Sequence, residues 1–198
     1  MSYLRTPDEN DADDRVARLY AADLSMLGYV ANYTKVFALR PDVYSAWAQL
    51  NTAIIAGMDR RRYELVTLAA ARQLRSSYCA LAHGKVLRDR YHDADTVHAI
   101  ATDQPTADLE PVDMAIIAFA EKVVTDAPGI TPADIHELRH RGLSDTDIFQ
   151  IVVCAAARCF FSTVLDAVGA EPDAHYRTSL EPELQDALTF GRPIADGR

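Results

Sequence analysis

The placement of proline and glycine constrains this chain more than any other feature. Pro41, Pro111 and Pro132 each open a run of helix-forming residues, and Gly28, Gly57 and Gly142 each close one. Proline is tolerated in a first helical turn, where its missing N–H would be unpaired anyway, and glycine suits the exit. Read with this punctuation, the sequence predicts a helix over 11–27, a shorter segment before Pro41, and a helix from Pro41 to about Gly57. Further helices follow in "DRRRYELVTLAAARQL", from Ser76 or Ser77 to about Tyr91, and within "DADTVHAIATD". Three more run from Pro111 to the Pro128–Gly129 stop, from the Thr131 cap to Gly142, and onward from Ser144, with Asp147 at capping-box spacing. The tail from Glu171 is less patterned. No stretch alternates in strand fashion over a useful length. The fold class is therefore all-α, a single helical domain over 1–198.

One echo stands inside the pattern. "ELVTLAAARQLRS", residues 64–76, aligns without gaps on "QIVVCAAARCFFS", residues 150–162, and agrees at Val66, Ala69 to Arg72, and Ser76. This suggests two related helical halves. It also fits two close-packed helices, because small residues let backbones approach. In the second half, Leu165 stands where the first has Cys79, and Gly169 where it has His83.

A chain of 198 residues, 49% of them hydrophobic, can bury roughly 70% of its unfolded surface. Twenty basic against twenty-nine acidic residues give a net charge of −9. That balance, without a basic stripe, argues against nucleic acid and anionic membrane as partners. The start, "MSYLRTPDENDADDR", lacks the apolar core of a signal peptide. The most apolar run, "IFQIVVCAAARCFFSTVL", is interrupted by Gln150 and Arg158, so no membrane span is expected. Three scattered cysteines do not suggest a disulfide framework. A reduced, cytoplasmic protein is the expectation.

Chemistry concentrates in "SSYCALAHGK", residues 76–85. If Ser76 caps the helix, Cys79 falls in its first turn, where unpaired N–H groups and the helix dipole favour a thiolate. His83 lies one turn on, on the same face, where it could take the thiol proton or hydrogen-bond the sulfur. Glu64 sits on the preceding helix, which must turn back through "QLRSS". A crossing pair of helices would bring its carboxylate to the imidazole as an orienting group. The plain alternatives stay open: Cys79 as a small core residue, His83 as a surface imidazole, Glu64 as the partner of Arg60 or Arg61. No second ligand pair has zinc-like spacing, so neither a metal nor a cofactor is expected. Cys154 and Cys159, about 140° apart on one helix, read as buried structural thiols. His92, His98, His136 and His140 read as solvated. Trp47 and the tyrosines fit helix packing or the rim of an apolar pocket.

Glu64, Ser76, Cys79 and His83 also resemble, in spacing, the signature of the alkylhydroperoxidase AhpD / carboxymuconolactone decarboxylase family. There a glutamate precedes a Cys-x-x-Cys-x-x-x-His run. "GYVANYTKVFALRPDVYSAWAQL" and "TPADIHELRHRGLSDTDIFQIV" are similar to flanking segments of its peroxidase-related branch, so the resemblance covers roughly residues 15–175 and leaves the tail 176–198 outside. It implies an all-helical fold, assembly into dimers, trimers or hexamers, and thiol-dependent reduction of hydroperoxides. The chain departs from the pattern at Ser76, which stands where the first motif cysteine belongs. A disulfide with Cys79 cannot form there, so an attack by Cys79 would need an external thiol to restore it. Three readings follow. One is a peroxidase-like oxidoreductase using Cys79, His83 and Glu64 on a small hydroperoxide. Another is a cofactor-free decarboxylase or lactone-type enzyme using His83 and Glu64. The last is a non-catalytic helical oligomer that binds a small molecule.

Overall fold

The computed structural model describes residues 2–8, 12–104 and 109–197. Every regular element among them is helical. The chain opens with α1 (Asp14–Leu27), α2 (Asn32–Phe37), α3 (Pro41–Ala56) and α4 (Arg60–Gln73). It continues with α5 (Ser77–Arg90), α6 (Ala94–Ala101) and α7 (Pro111–Asp126), which runs into a 3-10 turn, then α8 (Pro132–His140). The long α9 (Asp145–Ala167) is followed by α10 (Tyr176–Ser179) and α11 (Pro182–Leu188) in the tail. The helix expected over 11–27 starts at Asp14, capped by the Asp13 carboxylate, with residue 11 outside the described part. Gly28 closes it at φ 80°, a conformation that strains other residues. Thr131–Asp134 and Ser144–Asp147 form capping boxes at the starts of α8 and α9.

The core forms around α4, which packs against α5, α7 and α9. Its residues from Tyr63 to Ala71 are all buried. The alanines 69–71 explain this: without long side chains, three neighbours can close on one helix. One buried cluster gathers Leu65, Leu68, Leu81, Leu87, Phe161 and Leu165, and a second gathers Val66, Ile116, Ile148 and Ile151 on the other side of α4. The tail is more ordered in pattern than its sequence shows, since Leu184 and Leu188 of α11 are buried against α5 and α6. A Cβ at Gly84 would collide with Leu188, so glycine sets this close approach.

Two expectations change. α9, at 23 residues, is long and apolar enough by length and composition to cross a membrane, despite Gln150 and Arg158. It packs against α3, α4, α5, α7 and α8 and turns Arg158 inward, while Phe149 and Phe160 stay exposed on its other side. The echo segments also differ in shape. Residues 64–76 break after Gln73, where Arg75 adopts φ 55° and the chain restarts as α5. Residues 150–162 stay within one helix.

Candidate functional site

The break at Leu74–Ser76 folds α5 back along α4, and this hairpin builds the first half of the site. Glu64, on α4, is 1% exposed, and its Oε2 lies 2.5 Å from His83 Nδ1 on α5. A carboxylate only accepts, so Nδ1–H donates to it and Nε2 keeps its lone pair. Arg60, one turn earlier, donates to the other Glu64 oxygen at 3.2 Å. Arg61 goes instead to the buried Asp113 at 2.5 Å. Burial holds the His83 imidazole below its usual range, with Arg158 and Arg60 adding to the effect and Glu64 opposing it. The imidazole stands edge-on to Tyr63, 5.8 Å between centroids.

The second half comes from α9. Cys79 is 2% exposed and sits in the first turn of α5. Ser162 Oγ donates to its sulfur at 3.1 Å, and Arg158 Nη1 approaches at 3.7 Å. Arg158 Nη2 donates to the Tyr63 hydroxyl at 3.2 Å, which donates to Asn51 Oδ1 at 2.9 Å. The Arg158 guanidinium also lies over the rings of Phe161 and Trp47, 5.4 and 5.7 Å from their centroids.

Cys79, His83 and Arg158 face one cavity of about 230 Å³. Its walls are Tyr33 of α2, Tyr44, Trp47 and Asn51 of α3, Tyr63 of α4, Tyr78 and Ala82 of α5, and Phe161 of α9. The Tyr78 wall is fixed from behind: its hydroxyl donates to Asp173 at 2.5 Å, and Asp173 also accepts from the Asn32 backbone. An apolar cavity of roughly 150 Å³ holds benzene, so this one suits a small ligand about the size of a substituted ring. Among the described residues no group of three or more His, Cys, Asp or Glu side chains is placed to hold a metal ion.

The expected residues divide. Cys79 and His83 line the cavity, and Glu64 stands behind His83. Ser76 does not line it: it occupies the N-cap position of α5, but its hydroxyl caps no N–H, is fully buried, and faces the Asp166 carboxylate instead. The expected bond between Cys79 and His83 is absent as well. The sulfur's partners come from α9, because Glu64 takes the imidazole. Cys154 is buried against Thr67 at 3.7 Å, with burial pushing its thiol up to about 11. Cys159 is only partly buried, contrary to expectation, and its thiol is also pushed up by burial. His136 and His140 are exposed, while His92 and His98 are half-buried, away from the cavity. Sequence reasoning missed Arg158, Ser162, Tyr63 and Asn51. For Arg158 a signal existed: it is the one charge within the apolar run of α9.

Fold and site together define an all-helical pocket protein, with a buried cysteine and a histidine–carboxylate pair facing one aromatic cavity. Residues 41–122, which hold Glu64, Ser76, Cys79 and His83, match the Carboxymuconolactone decarboxylase family. That match spans less than half of the chain, and the fold as a whole is AhpD-like. One similar structure is an alkylhydroperoxidase AhpD core, an uncharacterized peroxidase-related protein from Ralstonia eutropha JMP134. It is 24% identical, with a TM-score of 0.80 over 88% of this chain and 94% of that one. Another peroxidase-related protein, from Silicibacter sp. TM1040, is 22% identical with a TM-score of 0.80, over 88% and 93% of the two chains. The debrominase Bmp8, as a cysteine-to-alanine variant in complex with 2,3,4-tribromopyrrole, is 17% identical with a TM-score of 0.73, over 90% and 95%. No curated protein matches the chain significantly.

Proposed function

We propose that the protein is a thiol-dependent oxidoreductase that reduces a small hydroperoxide through Cys79. The observation that carries this reading is the sulfur itself: it lines a half-open cavity and receives a hydroxyl and a guanidinium. Both donors favour negative charge on sulfur, and the thiolate is the nucleophile. In the first step the thiolate attacks the terminal peroxide oxygen and the O–O bond breaks. Cys79 becomes a sulfenic acid and an alkoxide leaves. His83 Nε2, held toward the cavity by Glu64, takes a proton from solvent and delivers it to that alkoxide. The hydroperoxide gains two electrons and the sulfur loses two. Recovery needs two equivalents of an external thiol, because Ser76 offers no partner sulfur: the first forms a mixed disulfide with loss of water, and the second releases Cys79.

The aromatic walls support a second reading, in which the same thiolate acts on a small halogenated ring; the fold shared with Bmp8 is consistent with it. Assembly of copies would suit the exposed apolar side chains Phe149 and Phe160 on α9 and Leu50 on α3. The test is consumption of cumene hydroperoxide with a small dithiol as reductant. The reading requires turnover by the native protein and only background with Cys79→Ala. Equal background in both would overturn it and move acid–base chemistry at His83 and Glu64 to first place.

A further inference from the structure

Arg158 is an unusual cation in this molecule. Arg61, Arg72 and Arg88 each reach a carboxylate. Arg158, only 5% exposed and more buried than any of them, reaches none among the described residues. Its neighbours are the Cys79 sulfur, the Tyr63 hydroxyl and two aromatic rings. A lone buried cation is costly unless an anion or a strong set of acceptors compensates it. Aromatic faces help only in part. Burial pushes the Tyr63 phenol above its usual range, so it stays neutral; it accepts from Arg158 and donates onward to Asn51, and brings no charge. One neighbour is left that can carry negative charge.

We propose that Arg158 is the counter-ion of a Cys79 thiolate, with Ser162 as the second donor to the sulfur, and that His83 is not the base that ionises it. The inference rests on the reading of Cys79 as the nucleophile and assigns the residues that hold it ready. It divides the cavity by task. Arg158 and Ser162 of α9 keep the sulfur anionic, while Glu64 and His83 of the α4–α5 hairpin move protons on the substrate side. Arg158 thus acts as a positioning residue through Cys79.

The other titratable groups around the sulfur do not offer the same service. From α4 come Tyr63 and Glu64, the latter already held by His83 and Arg60. From α5 come His83, bound to Glu64, and Tyr78, bound to Asp173. From α9 comes Cys154, against Thr67. Tyr33 and Tyr44 face the cavity from α2 and α3, and the tail adds Asp173 and Tyr176; burial raises all four.

The test is the far-ultraviolet absorbance of the thiolate near neutral pH, where Cys154 and Cys159 stay protonated, paired with the iodoacetamide labelling rate of Cys79 mapped by mass. The native protein should show one thiolate. Arg158→Met should remove that signal and slow labelling about tenfold or more, and Arg158→Lys should restore much of both. Ser162→Ala should slow labelling several-fold, which keeps the test decisive if Arg158→Met does not fold. His83→Gln should leave the signal in place. A native protein without the thiolate, an unchanged signal in Arg158→Met, unchanged labelling in Ser162→Ala, or loss of the signal in His83→Gln would each overturn the proposal. No substrate enters these measurements, so they stand or fall separately from hydroperoxide turnover.

Discussion

Residues 64–76 and 150–162 share Ala-Ala-Ala-Arg and a serine four residues later, yet the matching side chains do opposite things. Arg72 is mostly buried as well, but it reaches the Ile100 carbonyl and pairs with Glu121 and, at 3.1 Å, Asp103. Arg158 points inward, finds no carboxylate among the described residues, and meets the Cys79 sulfur. Ser76 is buried facing the Asp166 carboxylate, away from the cavity, whereas Ser162 donates to that same sulfur at 3.1 Å. The difference lies in the backbone. The first segment ends its helix at Gln73 and turns through Arg75, which delivers Cys79 and His83 on the next helix. The second runs on unbroken and holds its arginine and serine one turn apart on the face that meets them. A short pattern therefore states what can pack, and the path of the chain decides what it does.

The largest effect should come from taking away the inward arginine's partner. Cys79→Ala should abolish turnover and lower stability by about 3 kcal/mol, because it strands a buried cation. Adding Arg158→Met to that variant should recover most of the loss, a coupling read from urea denaturation as a double-mutant cycle. If the two losses simply add, the buried pair has no energetic reality.

The α4–α5 side should respond in rate. His83→Gln should reduce hydroperoxide turnover about a hundredfold, the usual scale for a lost proton-transfer group. It should also change the acid side of stability. The folded state holds the His83 imidazole below its ordinary 6.5, so the unfolded chain binds its proton more readily. Stability from this group is full above about 6.5 and falls as pH drops through the lowered folded value. The variant should lose that part of the decline, measured by denaturation at a series of pH values.

Arg72 should matter least to chemistry. Arg72→Met breaks a mostly buried pair and is expected to cost about 2 kcal/mol in stability, yet to leave the labelling rate of Cys79 unchanged. Ser76→Cys is smaller still in stability, since the serine hydroxyl forms no cap bond that could be lost. That variant should form a disulfide with Cys79 after peroxide treatment and turn over faster with a dithiol protein reductant. A variant that folds and forms the bond with a chemical oxidant, but not with peroxide, would detach the pocket from peroxide chemistry.

The helices were legible because each carries its own punctuation. Pro41, Pro111, Pro132 and the two capping boxes act within a few residues, so local sequence suffices. Glu64, Cys79 and His83 were legible through spacing along one hairpin. Arg158 and Ser162 were not, because they lie 79 and 83 residues from Cys79, and nothing local states which helix faces which. Arg158 left a trace as a charge in an apolar run, which reads as a break in hydropathy until a buried partner is known. Ser76 misled in the other direction: its position at the N-cap was right, but packing at full burial turned the hydroxyl away from the helix N–H groups.

The central claim is that Cys79 is the sulfur that does the chemistry. The most direct measurement is dimedone trapping of sulfenic acid after one equivalent of cumene hydroperoxide, with each cysteine peptide resolved by mass. The account predicts the adduct on Cys79, formed before any on Cys154 or Cys159 and lost in Arg158→Met. An adduct first on Cys154 or Cys159, or peroxide consumed with no adduct on Cys79, would contradict it.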